Sequence, residues 1–534
     1  LTTLRYRENA SSEWKELSLG GQLTGIEVLV TAPAGGVINY TDDITSNTAT
    51  VGSDGTATIS LPNYGTWKFS LTLNGATTSP VSLVVDDVKQ YSLGINCANI
   101  TITAPADTTL YWTGQATGSA AIGTDGTYLL RVAALGTYNF YAQNSEGVKT
   151  SVQSVTVEDY TDYTVAVSFG VTYGVIINTS NSDPAASVTY TEDATGMTSG
   201  WSNWADKDLF KDIKPCILTS SGTVSTYLNR DNFTKTESGS TATLTSIGND
   251  VMIEFPKMGY KITKSGNNIT VLVTNEANKD GFCYLAHSLS SENDCDYIYI
   301  GAYDAYTSSS KLYSVSGQSP AVSTTLTNFR TYATNRGTGY QLMSFYPWTL
   351  LQCLYLIVYK NLNGQSALGY GRASGNSSAV SSGTLNSNTF CYGTTSTSTA
   401  IKFLGIENMW GNVYQWLDGF YCDSSRNATV AWKSFSDTGS GYIDGGSTGF
   451  TSNTGNYISS VLGTNNGGFF PNGLSGSSTT YFCDYGFVCA SYCAYVGGNW
   501  NHGDTAGPFC FYAYDASSAS SSNLGARLLY KHKA

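Results

Sequence analysis

The side chains best able to do chemistry crowd toward the C-terminus. Cys483, Cys489, Cys493 and Cys510 fall within one short stretch, out of eleven cysteines at 97, 216, 283, 295, 353, 391, 422, 483, 489, 493 and 510. There is no Cys-x-x-Cys pair, so the spacing is poor for a metal. A nucleophilic thiol needs a lowered pKa and an electropositive setting. No Lys or Arg occurs between Lys433 and Arg527, and the charge near these thiols is Asp484. Only His287, His502 and His532 are available as imidazole bases. The expectation is no catalytic residue, no metal and no cofactor, with free and mostly buried thiols.

The same stretch is rich in a different kind of residue. From Tyr481 to Tyr514, Tyr, Phe, Cys, Asp, Ser, His and Asn alternate with small residues. Between Tyr481 and Asp515, Leu, Ile and Val appear only as Val488 and Val496, too few for an ordinary core. Tyr and Ser suit binding loops, through large contact area and adaptable hydrogen bonds. Alternate residues of a strand share a face. Tyr485 and Phe487, like Tyr512 and Tyr514, have that spacing, with Gly486 and Ala513 between them. The expected surface comprises Phe482, Tyr485, Phe487, Tyr492, Tyr495, Asn499, Asn501, His502, Asp504, Phe511, Tyr512 and Tyr514. An exposed aromatic patch of that size is unusual unless it binds something.

Elements must hold these residues in place. At 534 residues the chain is long enough for three or four domains. Charged residues make up 12%, about half the usual share, while Gly reaches 56 and Tyr 38. This is the composition of turn-rich β structure. The net charge of −12 with no basic stripe argues against nucleic acid and anionic membranes. The apolar run around Leu350–Tyr359 is too short to span a bilayer, so no membrane insertion is expected. No signal peptide is visible, and residues upstream of Leu1 are left open.

An internal repeat fixes the first part. Thr31-Ala32-Pro33 recurs at 103–105, Asp54-Gly55-Thr56 at 125–127 and Tyr64-Gly65-Thr66-Trp67 as Leu135-Gly136-Thr137-Tyr138. Val85-Asp86-Asp87 with Tyr91 recurs as Val157-Glu158-Asp159 with Tyr163. One spacing for four blocks marks a true repeat. Alternating strands such as 26–30, 57–61 and 67–71 with Asp-Gly turns suit Ig-like β-sandwiches over 21–95 and 96–170, after an attachment segment at 1–20. Residues 171–249 read as a linker or subdomain, with 178–186 linker-like. A strand follows at 251–261, broken by Pro256, then strands at 269–274 and 297–303. Helices are expected at 328–335 and 349–359, the second buried.

Two blocks then carry a resemblance. Gly405-Ile406-Glu407-Asn408-Met409-Trp410-Gly411-Asn412-Val413-Tyr414-Gln415-Trp416 is similar to the G-N-V-W-E-W block of the formylglycine-generating-enzyme and sulfatase-modifying superfamily. Val496-Gly497-Gly498-Asn499-Trp500-Asn501-His502-Gly503 and Asn523-Leu524-Gly525-Ala526-Arg527-Leu528 resemble its C-terminal end. The resemblance covers about 248–533. It implies a C-type-lectin fold over 250–534, hence a mainly β chain with an α+β C-terminal domain. It makes Trp410, Gly411, Trp416, Gly497, Gly498, Trp500, Gly525 and Arg527 a structural frame, with Trp500 and Arg527 buried or structural.

The superfamily also contains the variable proteins of diversity-generating retroelements. There, adenines in a template are randomised, which turns Asn codons into Tyr, Phe, Cys, Ser, Asp and His while Trp stays fixed. Residues 481–520 have that menu, and the clustered cysteines then follow from randomisation. The resemblance implies a phage tail-fibre receptor-binding protein, located on the virion tail and carrying no enzyme activity. Its partners would be a host cell-surface protein or glycan and, through the N-terminal region, other tail proteins. A homo-oligomer, taken as a trimer, would add avidity. The alternatives are a protein displayed on a bacterial surface and, more remotely, a formylglycine-generating oxidase, whose chemistry needs reactive cysteines and copper.

Overall fold

The computed structural model describes residues 25–150 and 152–532, together with the backbone of Leu4–Tyr6 and Lys15–Leu17, which pair antiparallel. The rest of the expected attachment segment at 1–20 lies outside the described residues. The chain is mainly β and divides into two compact units, Leu1–Gly170 and Val171–Ala534.

The first unit contains two β-sandwiches. In one, Glu27–Thr31 pairs with Gln90–Gly94 and Thr56–Ser60, opposite a sheet built on Val37–Thr41 and Gly65–Leu73. In the other, Ala98–Thr103 takes the place of Glu27–Thr31 and Gly136–Gln143 that of Gly65–Leu73. Trp67, Phe69 and Leu71 fill the first core, and Tyr138, Phe140 and Ala142 the second. The repeated sequence blocks are the turns. Thr56 hydrogen-bonds Asp54 through N–H and hydroxyl at 3.1 and 2.8 Å, and Thr127 does the same to Asp125 at 3.3 and 3.0 Å. Tyr91 Oη accepts from the N–H groups of Asp86 and Asp87, and Tyr163 Oη from those of Glu158 and Asp159. A turn fixed by a side chain cannot drift in sequence, which is why these positions show the repeat.

The second unit is α+β. Thr172–Asn178, Val188–Glu192, Gly259–Ser265 and Asn268–Thr274 form an antiparallel sheet. The expected linker at 178–186 is instead the hairpin loop of the first pair, folded by Asn and Asp side chains that accept backbone N–H groups. A seven-stranded sheet includes Lys214–Thr219, Asn249–Pro256, Tyr297–Gly301, Leu528–His532 and the edge strand Tyr340–Leu342. Residues near the C-terminus therefore close a sheet begun some three hundred residues earlier.

The helix Leu326–Thr334 is capped by Thr325, whose hydroxyl accepts from Asn328 N–H at 3.2 Å. The helix Phe345–Tyr359 is buried along its length except at Tyr359. It is apolar on every side, as a helix through the middle of a core must be. Among the described residues no helix is long and apolar enough to cross a membrane. A third sheet is centred on Tyr414–Cys422, Tyr492–Val496, Phe511–Asp515 and Tyr485–Val488. It carries the residues considered next.

Candidate functional site

The frame comes first, because it positions everything else. Arg527 is fully buried and donates five hydrogen bonds: to Gln415 Oε1 (2.8 Å), Asp304 Oδ1 (3.1 Å), and the carbonyls of Gly301 (2.9 Å), Glu407 (2.8 Å) and Asn408 (3.0 Å). Asp304 Oδ2 accepts from Asn408 and Asn412 at 2.9 and 2.8 Å. Burial pushes the Asp304 pKa up and the Arg527 pKa down, and their mutual attraction opposes both shifts. The carboxylate of Glu407 gathers the N–H groups of Gly383, Thr384 and Leu385. One guanidinium thus ties the C-terminal strand region to the Glu407–Gln415 block.

The two resemblance blocks also bond to each other. Gly411 N–H donates to Gly497 O at 3.2 Å, and Trp500 N–H to Asn412 O at 3.0 Å. Gly411 has φ +80, and a Cβ there would fall 2.9 Å from Arg372 O. Gly497 has φ +88, with Met409 O 2.8 Å from a Cβ. Gly498 and Gly525 are buried with them, and Trp410 and Trp416 are wholly buried. Trp500 differs from expectation. It is only half-buried, and its ring N–H has no hydrogen-bond partner.

On this frame the strands present an aromatic surface. Tyr485–Val488 and Phe511–Asp515 run parallel, with Phe487 beside Tyr512. Inward residues Gly486, Val488, Phe511 and Ala513 are buried. Outward residues Tyr485, Phe487 and Tyr512 are half-buried, and Tyr514 is 45% exposed. Their rings form one run. Tyr485 meets Tyr512 at 5.9 Å, Phe487 meets Tyr512 at 5.9 Å and Tyr514 at 4.7 Å, and Tyr492 meets Tyr514 at 6.5 Å. Asn501 and Asp504 are exposed and His502 is half-buried.

Four of the twelve expected surface residues are not on the surface. Phe511 points inward between Phe420 and Phe470, as alternation from Tyr512 requires. Phe482 packs on Phe509 from the turn before the strand. Tyr495 is buried beside Tyr512 on the neighbouring strand, against Trp416 and Tyr414. Asn499 is buried, with its side-chain Oδ1 accepting from Asn501 N–H at 2.8 Å.

Two residues outside the expected set take part: Tyr457 joins the surface, and buried Tyr414 supports it from below. Tyr457, on Thr454–Tyr457, packs on Tyr485 and donates to Asp504 at 2.8 Å. Tyr414 lies under His502 with its hydroxyl 2.6 Å from Nε2. The Tyr512 hydroxyl is 2.9 Å from the same nitrogen. Thr505 Oγ1 gives its proton to His502 O and stands 2.9 Å from Nδ1. With that hydroxyl donating to His502 O, Nδ1–H can donate to Thr505 Oγ1, and Nε2 can then accept from one of the two tyrosine hydroxyls. Burial pushes the His502 pKa down to about 4, so the ring is neutral at pH 7. Pattern alone could not have found Tyr457, which lies well before the aromatic stretch.

All eleven cysteines are free. Burial pushes the Cys483 and Cys493 thiols up to about 12 and the Cys510 thiol well above its ordinary value. Thiols in that state are poor nucleophiles. Among the described residues no group of three or more His, Cys, Asp or Glu side chains is placed to hold a metal.

No protein-family model and no curated protein matches the sequence. Solved structures similar to the chain include the Major Tropism Determinant U1 variant, at 11% identity and a TM-score of 0.20, covering 89% of this chain and 82% of that one. The P3c variant of the same protein is 12% identical with a TM-score of 0.20 and the same coverage. GBS52, the minor pilin of Streptococcus agalactiae, is 10% identical with a TM-score of 0.16, covering 27% of this chain and 94% of the pilin.

Proposed function

We propose that the second unit is a ligand-binding module whose contact surface is the aromatic run Tyr457–Tyr485–Phe487–Tyr512–Tyr514–Tyr492, and that the protein acts as an extracellular binder rather than an enzyme. The observation that carries this reading is the run itself. Partly exposed aromatic rings touch one another on a rigid, hydrogen-bonded base, with no Lys or Arg among them. Keeping such a surface wet costs solubility without return unless a partner covers it. Its rings are also preorganised, which lowers the entropy lost on binding.

The finer reading is a phage tail-fibre receptor-binding protein, diversified over 481–520 by a retroelement, with the repeats as spacers and the ligand a host surface protein or glycan. It draws support from the strand alternation, in which inward residues pack the core and outward residues present their rings to the surface. Binding of the fluorescently labelled chain to intact bacteria tests it. Saturable binding to a host strain, competed by unlabelled chain, is expected. Protease or periodate treatment of the cells then tells protein from glycan. An absence of saturable binding to every strain bearing the corresponding phage or retroelement would overturn the reading.

A further inference from the structure

A cavity of about 710 Å³ opens beside the edge strand Tyr340–Leu342. Its lining includes Arg330, Thr338, Gln341, Asp418, Lys433 and Phe435, and no residue of 481–520. That volume falls within the range of small-molecule sites, about 300–1,000 Å³. Tyr340 and Leu342 are buried on one side of the strand, which leaves Gln341 on the other. The Gln341 amide oxygen is buried and has no hydrogen-bond partner. Buried polar atoms are nearly always paired, so this one lacks a donor that a ligand would supply.

The neighbouring groups are already fixed. Arg330 forms a two-pronged pair with Asp418 through Nε and Nη2, both at 2.8 Å, and reaches Asp437 through Nη1 at 2.6 Å. Lys433 Nζ donates to Ser290 O at 3.1 Å. Asp437 pairs with Arg330 from outside the lining, and with it counted two cations meet two carboxylates, so little net charge is offered to an ion. It offers planar polar side chains in fixed orientations and the ring of Phe435.

We propose that this cavity binds a neutral pyranose, independently of the aromatic surface. Vicinal hydroxyls can donate to the Gln341 amide oxygen and accept from its amide N–H. The apolar face of the sugar ring packs against Phe435. The whole arrangement belongs to the helix Leu326–Thr334, the sheet edge and the 433–435 loop.

Saturation-transfer NMR on the full chain tests this, with the methyl glycosides of glucose, galactose, mannose and N-acetylglucosamine as probes and glucuronate as a charged comparison. At least one neutral glycoside is expected to bind. Gln341→Ala should weaken it by about tenfold, the loss of a pair of hydrogen bonds, with an unchanged thermal midpoint. Phe435→Ala, in the loop, should weaken it as well and serves if Gln341→Ala misfolds. Three results would overturn the proposal: no neutral glycoside binds, binding survives both substitutions, or glucuronate binds more tightly than every neutral probe.

Discussion

Tyr495 and Tyr512 stand opposite each other on antiparallel strands and stack, with ring centroids 5.5 Å apart and planes 18° apart. Tyr495 is buried and Tyr512 half-exposed, so this pair is where frame passes into surface. Tyr512 is held by the stack on the neighbouring strand and by His502. Tyr512→Ala should therefore lose both stability and binding, whereas Tyr514→Ala should lose binding alone. Thermal melts of the two variants separate them, and equal melting losses would contradict the assignment.

The frame makes a sharper demand. Replacing Arg527 leaves Asp304 buried without its counter-charge and strands three carbonyls. Arg527→Ala should cost about 3–5 kcal/mol, and Arg527→Lys should also destabilise, because an ammonium cannot reproduce the fork. Urea melts check this. A silent Arg527→Ala would show that the hub is not structural.

Large-to-small changes rank the tryptophans. Trp416→Ala opens a fully buried site and should cost about 3–5 kcal/mol. Trp500→Ala, at a half-buried site, should cost less than half of that. A reversed order in denaturation midpoints would mean that the 499–503 backbone depends on its indole more than its exposure implies.

Acid should loosen the unit. His502 is held neutral with a pKa near 4, against about 6.5 in an unfolded chain. Between those values the unfolded chain binds more protons, so the stability is complete above about pH 6.5 and is lost as pH falls through about 4. Protonation of Nε2 also removes the one lone pair that faces the Tyr414 and Tyr512 hydroxyls. The ceiling is about 3 kcal/mol, reduced because the ring is partly exposed. Burial likewise pushes His287 down to about 3, and it works in the same direction. Melts at pH 7 and at about pH 4.5 should show a smaller acid loss in His502→Gln than in wild type, with the share from His287 remaining. Identical losses would rule out a role for His502.

Much of this was legible in the residues, and the reasons differ by place. The sandwich repeats could be seen because Asp54, Asp125, Tyr91 and Tyr163 each serve a turn, which ties residue type to position. The buried helix was legible over 349–359 from the helical spacing of Leu350, Leu351, Leu354, Ile357 and Val358, while its first turn, Phe345–Trp348, was not. The break at Pro256 separated two real strands. Phe482 and Phe511 were misplaced because aromatic type alone does not tell core from surface, and only the phase of the strand does. Tyr457 and the neutral His502 hub arise from contacts between distant segments, which no local pattern encodes. The stretch at 178–186 looked like a linker because a hairpin loop and a linker use the same turn-forming residues.

The central claim is that the aromatic run is the contact surface, and paired affinities test it most directly. The half-saturating concentration on host cells should be measured for wild type, Phe487→Ala, Tyr514→Ala and Ile443→Ala. Ile443 is 48% exposed on the far edge strand of the same sheet and serves as control. If the account holds, Phe487→Ala and Tyr514→Ala each weaken binding by about 1–3 kcal/mol, with unchanged melting, and Ile443→Ala matches wild type. Wild-type affinity in both aromatic variants, or an equal loss in Ile443→Ala, would contradict it.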